Sequence, residues 1–148
     1  MEEIKRVVIP VDTSDASKIA TEQGTFFAKL LNVDVSIVAV NESRQYMIST
    51  ILENKLKKEK ESTLEEVKKL VEAQGVNVTT RLMLGSPAKE IMKFVKDDDL
   101  IVMASHGRKG FNKFLLGSVS EEILHRAPCP VMIIKPNIEE KSSDSKAK

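Results

Sequence analysis

Leu100–Pro136 reads LIVMASHGRKGFNKFLLGSVSEEILHRAPCPVMIIKP. Leu100 to Ala104 is an apolar run of the length taken by a strand buried on both faces. Val119, Ile123 and Leu124 then recur at helical spacing, and Val131 to Lys135 forms another short apolar run. Strand, loop, helix and strand in succession make the repeating unit of a parallel sheet. The loop carries Ser105, His106 and Gly107, then nine residues, then Gly117 and Ser118 at the head of the helix. Glycine lets backbone N–H groups approach an anion, and the first turn of a helix leaves its own N–H groups unpaired. The same glycines also suit a plain chain turn, and the loop alone leaves both readings open. A helix N-terminus is worth about 0.3–1 kcal/mol to an anion, whereas micromolar affinity needs about 8 kcal/mol. A ligand here must therefore be held from a second element as well.

The rest of the chain repeats the unit. Ile4 to Val11 reads as a buried strand that ends or bends at Pro10, followed by Asp12-Thr13-Ser14 and a helix capped by Ser14. Ala16, Ile19, Ala20, Phe27 and Leu31 form that helix's expected apolar face. Val35 to Val40 is a second strand. Residues 41–50 form a long polar connection, and residues 51–74 a long amphipathic helix through Leu52, Leu56, Leu64, Val67, Leu70 and Val71, ended by Gly75. Val76 to Leu84 alternates as an edge strand does, and Ser86 and Pro87 open a helix through Ile91, Met92 and Val95. Asp97-Asp98-Asp99 reads as a solvated turn rather than a metal site. Four strand–helix units closed by a fifth strand imply an α/β fold with right-handed crossovers and helices on both faces of a parallel sheet.

Composition narrows the classes. The 148 residues are 41% hydrophobic and 30% charged, enough for one buried core. We expect one domain over residues 1–136 and a polar, disordered tail over 137–148. With 23 basic and 22 acidic side chains the net charge is +1, and aromatics are 4% without tryptophan, which argues against nucleic acid as a partner. No apolar run suits a bilayer and MEEIKR lacks a signal-peptide core, so the expectation is a cytoplasmic protein without a membrane partner. Cys129 is the one cysteine, and it reads as structural. His125 and Arg126 suit the negative end of a helix, and His106 has no nucleophile paired to it by motif. Neither a P-loop nor a dinucleotide-binding glycine fingerprint is present.

The pattern Ser105-His106-Gly107, nine residues, Gly117-Ser118, a helix and Pro130-Val131-Met132-Ile133-Ile134-Lys135 resembles the nucleotide-binding signature of the universal stress protein family. The family motif is Gly, two residues, Gly, nine residues, Gly and Ser or Thr. Ala104 stands where its first glycine is expected. The resemblance covers Ile4 to Pro136. It implies an adenine nucleotide alpha hydrolase-like fold, a doubly wound five-stranded sheet of order 3-2-1-4-5, with the site at the reversal between the first and fourth strands. It further implies ATP (or AMP/ADP), with Mg²⁺. Asp12, Val40 and Ala104 would surround adenosine, with Pro10, Val11 and Met103 beside them. Gly107, Gly117, Ser118 and Ser120 would hold phosphates, with Ser105, His106, Arg108 and Val119 in the same loop and helix start. A homodimer through the fifth strand, Val131, Met132, Ile133 and Ile134, is implied as well. The expected function is a nucleotide-dependent stress-response switch. Two alternatives stand beside it: a dimeric interaction module that binds no nucleotide, favoured by Ala104, and a weak ATP hydrolase, for which no general base is evident.

Overall fold

The computed structural model describes residues 3–42, 50–105 and 117–135. Five strands, β1 (Arg6–Pro10), β2 (Asp34–Asn41), β3 (Val78–Leu84), β4 (Asp99–Ala104) and β5 (Val131–Ile134), form one parallel sheet of order β3-β2-β1-β4-β5. Helices α1 (Asp15–Leu31), α2 (Thr50–Ala73), α3 (Pro87–Phe94) and α4 (Ser118–Arg126) connect them. The expected order is therefore the observed one. α1 and α2 cover one apolar cluster, around Val7, Ile9, Val35, Ile37, Val67 and Val102. α3 and α4 cover another, around Val8, Val38, Ile91, Ile101 and Ile123.

The local signals for element ends held in position, although Ser86 at the N-cap of α3 makes no side-chain cap bond. Ser14 caps α1, its side chain accepting from Ser17 N–H. Pro87 occupies the first turn of α3 behind Ser86, and Gly75 takes φ +78° just past α2. Asp97 and Asp98 sit in the connection before β4, but Asp99 does not stay in solvent. It begins β4 at 2% exposure and accepts Arg6 Nε at 2.9 Å, Arg6 Nη2 at 2.7 Å and Lys96 N–H at 2.8 Å. The register places Arg6 opposite Asp99 on the neighbouring strand, so a carboxylate there is neutralised across the sheet.

The buried face of α1 is another correction. Ile19 and Leu31 are exposed, Ala16 and Phe27 half-buried, and the residues against the sheet are Ser17, Ala20, Thr21, Gly24, Thr25 and Ala28. Small side chains let the helix lie close. A Cβ built on Gly24 would stand 2.6 Å from Ile9 Cδ1 and 3.4 Å from Val102 Cβ. The threonine hydroxyls donate to carbonyls one turn back, Thr21 to Ser17 and Thr25 to Thr21, so burial leaves them satisfied. In α2 only the second half is buried, through Leu64, Val67 and Val71, while Leu52 and Leu70 face solvent.

Candidate functional site at the sheet's switch point

Proline 10 decides the shape of the sheet's carboxyl edge. Val11 N–H donates to Val38 O at 2.8 Å, so residue 11 turns its backbone towards β2, and by strand alternation residue 10 turns towards β4. There proline has no N–H to give. The β1–β4 pairing stops at Val8↔Ile101, while β1–β2 runs on to Pro10↔Val38 and β4–β5 to Ala104↔Ile134. The hydrogen-bonded ladder of the two central strands thus ends short of their carboxyl ends, at the point where the strand order reverses and where sheets of this kind form a ligand crevice.

Backbone groups of the neighbouring strands face this end of β1. By the same alternation Val40 and Ala104 both turn towards β1, and no bond from Val40 N–H to Val11 O continues the β1–β2 ladder. Val40 is otherwise buried with Met103 in the cluster beneath α3 and α4. Asp12, half-buried, follows β1 directly. Its Oδ1 accepts Ser14 N–H and Ser17 Oγ, each at 2.8 Å, and the Ser14 hydroxyl. Its own N–H donates to Ser17 Oγ at 2.8 Å. One carboxylate oxygen is therefore engaged in starting α1, and Oδ2 has no partner among the described residues. Both readings of Asp12, turn residue and ligand acceptor, are compatible with this division.

Across the crevice, Ser105 is buried and donates its N–H to Ile134 O at 2.9 Å, while its carbonyl accepts Gly117 N–H at 2.7 Å. That bond ties the start of the glycine loop to its end. Gly117 is the N-cap of α4, with no side-chain cap, and the first helical bond runs from Glu121 N–H to Gly117 O. The N–H groups of Ser118, Val119 and Ser120 have no acceptor among the described residues. Ser118 is exposed, Val119 half-buried and Ser120 buried. Ser120 Oγ donates to Ala104 O at 2.8 Å, so its hydroxyl proton is committed to holding α4 against β4. The structure thus brings Pro10, Val11, Asp12, Val40, Met103, Ala104, Ser105, Gly117, Ser118, Val119 and Ser120 to one edge of the sheet. His106, Gly107 and Arg108 lie outside the described residues.

Cys129 lies away from this edge, just before β5, where burial first and then the nearby Asp99 charge push its thiol up to about 11. It is a poor nucleophile at neutral pH. Among the described residues no group of three or more His, Cys, Asp or Glu side chains is placed to hold a metal ion, and no helix is long and apolar enough to cross a membrane.

A doubly wound parallel sheet of order β3-β2-β1-β4-β5, with an acidic residue after the first strand and a glycine-capped helix after the fourth, defines the α/β class of the chain. Residues 3–135 match the universal stress protein family model, and the chain belongs to the universal stress protein family. It is 35% identical over 139 residues to universal stress protein MJ0531 of Methanocaldococcus jannaschii, covering 88% of this chain and 82% of the relative. The solved structure of MJ0577, a universal stress protein of the same organism, superposes with a TM-score of 0.78 at 30% identity, covering 92% of this chain and 99% of that one. A universal stress protein from Archaeoglobus fulgidus, solved in complex with dAMP, shares the fold at a TM-score of 0.67 and 23% identity, covering 91% of this chain and 100% of that one.

Proposed function

We propose that this chain binds an adenine nucleotide in the crevice between β1 and β4 and acts as a nucleotide-dependent switch or interaction module in a stress response. The observation that carries the reading is the early end of the β1–β4 ladder at Val8↔Ile101, at the reversal of strand order, with Asp12 following β1 and the uncapped head of α4 following β4. Their chemistry sorts by position. Asp12 Oδ2 accepts from ribose hydroxyls. The Val40 and Ala104 backbones border the base. The uncapped N–H groups of Ser118, Val119 and Ser120 at the head of α4 receive phosphate oxygens, joined by Gly107 and Arg108 from the loop. Ser120 acts mainly by fixing Ala104. The dAMP complex of the Archaeoglobus relative supports an adenine nucleotide as the ligand class.

For ATP, Mg²⁺ fits as an ion carried on the phosphates with its own waters, since Asp12 is the one carboxylate assigned to this crevice. The fifth strand is the outer edge of the sheet beyond β4, and Val131, Met132, Ile133 and Ile134 are each half-buried. We assign it the twofold contact of a homodimer. A cytoplasmic location goes with this reading. A second reading, a module that binds no nucleotide, rests on the Ala104 methyl at the position where the family motif has glycine.

Isothermal titration with AMP, ADP and ATP, with and without Mg²⁺, tests the proposal. Asp12→Asn keeps an oxygen for Ser14 and Ser17 but replaces the free acceptor by an amide donor. Losing a charged hydrogen bond of about 1.5–3 kcal/mol lowers affinity roughly 10- to 150-fold with the fold intact. No heat and no melting shift with any adenine nucleotide would leave the second reading in possession.

A further inference from the structure

On the side of the sheet away from the fifth strand, a hollow of about 680 Å³ is lined by Arg81, Leu82, Met83 and Leu84 of β3, Glu90, Lys93 and Phe94 of α3, and Arg6 and Lys96. Two properties of it are unexpected for a mere surface dip. The first is its charge. Four cations border it against Glu90, which pairs with Lys93 at 3.3 Å, while Arg6 is held by Asp99. Arg81 and Lys96 have no ion-pair partner among the described residues. Phe94 fixes the arginines in place, with Arg6 Cζ 4.6 Å and Arg81 Cζ 5.5 Å from its ring centroid.

The second property is its shape. Successive strand residues point to opposite faces, so a hollow lined by four consecutive residues of β3 runs along the strand's edge. β3 is an outer strand of the sheet. Val35 N–H donates to Asn77 O and Gly85 N–H to Asn41 O, so the odd-numbered residues of this segment face β2. The N–H and C=O groups of Val78, Thr80, Leu82 and Leu84 therefore point outward, and have no backbone partner among the described residues. Arg81 and Met83 lie on the α3 face, and Leu82 packs in the cluster beneath α1 and α2.

We propose that this edge is a docking site for an extended acidic peptide segment of a partner protein, which adds as a further strand beside β3. Backbone hydrogen bonds to Thr80, Leu82 and Leu84 set its register. Acidic side chains at every second position lie on the α3 face against Arg81, Lys93 and Lys96, and apolar ones between them cover Leu84, which is 45% exposed. The cations that attract such a segment also repel a second copy of this same edge, so the strand is selective rather than self-associating. This surface is separate from the nucleotide crevice, and its occupancy does not depend on that reading.

The probe is a capped peptide of alternating glutamate and valine, matched in length to β3. Titration followed by amide exchange on the intact chain should show binding that weakens with salt, and slowed exchange at Thr80, Leu82 and Leu84. Lys96→Glu and Arg81→Glu should each weaken it about tenfold or more, with circular dichroism unchanged. A peptide N-methylated on the amides that face β3 should not bind. The proposal is overturned by equal binding of the lysine–valine peptide, by binding without exchange protection of β3, or by no binding at all. Displacement of the peptide by inorganic pyrophosphate at comparable affinity would also overturn it, showing a small-anion hollow.

Discussion

Gly24 offers the sharpest test of how α1 meets the sheet. In Gly24→Ala the new Cβ would lie 2.6 Å from Ile9 Cδ1 and 3.0 Å from Ile9 Cγ1. Carbon atoms prefer about 3.5–4.0 Å, so something must move by roughly 1 Å. Ile9 is fully buried and Val102 Cβ stands 3.4 Å from the same point, so the isoleucine has little room to turn away. Overpacking of this kind costs about 1–3 kcal/mol, against which alanine contributes about 1 kcal/mol of helix propensity. The expected net loss is about 0–2 kcal/mol, too small to interpret alone. A double-mutant cycle isolates the contact. Ile9→Val by itself removes a buried methyl group and costs about 0.5–1.5 kcal/mol. In the Gly24→Ala background the same change removes the clashing Cδ1, and should cost nothing or restore stability. Urea unfolding of the four proteins should therefore give a coupling of about 1 kcal/mol or more. Additivity within about 0.3–0.5 kcal/mol would show that helix and strand are not in this close contact, and the account of the small-residue face would fail.

Other outcomes follow from single groups. Asp99→Asn leaves the Arg6 guanidinium, a quarter exposed, without its charge partner. Denaturant unfolding should show a loss of about 2–4 kcal/mol, less than a fully buried pair would give. Ser14→Ala removes an α1 cap and a donor to Asp12, and should lower stability by about 1 kcal/mol in the same assay. Cys129, at about 11 against an ordinary 9.0, holds about 100-fold less thiolate at pH 8. The greater nucleophilicity of a more basic thiolate recovers only part of this, so alkylation should run roughly tenfold slower than for a free thiol. Because the folded thiol keeps its proton longer than the unfolded one, its contribution to stability is full below pH 9 and is lost as pH rises towards 11, a decline that Cys129→Ser should flatten.

The sheet was legible because its strands are nearly continuous apolar runs separated by helical periodicity, a pattern few other architectures share. The buried side of α1 was not. Ile19 and Leu31, expected on the apolar face, are 36% and 44% exposed, and a reading that ranks side chains by hydrophobicity selects the wrong stripe. Close approach to a strand needs small residues, and Thr21 and Thr25 become core-compatible only when their hydroxyls bond back along the helix. Asp99 failed for a related reason. Its partner, Arg6, is distant in sequence and is brought opposite only by strand register. At the crevice, Asp12, Gly117 and Ser118 could be picked out by type and spacing. The direction in which the Val40 and Ala104 backbones turn could not, since which way a strand residue's N–H points depends on its neighbours in the sheet.

Pro10 links these backbone facts to the proposed binding site, and its replacement separates geometry from stability. In a parallel ladder the next rung beyond Val8↔Ile101 would run from residue 10 N–H to Val102 O and from Ala104 N–H to residue 10 O. Pro10→Ala supplies the missing donor. The new hydrogen bond is worth about 1 kcal/mol, while the freer unfolded chain costs about 0.4–1 kcal/mol, so stability should barely change. The β1–β4 ladder, however, extends by one rung into the proposed crevice. We expect a residue 10 amide protected from exchange, together with weaker adenine nucleotide binding in titration. A residue 10 amide that exchanges as freely as a surface loop, with affinity unaltered, would show that something other than the absent N–H keeps the two central strands apart.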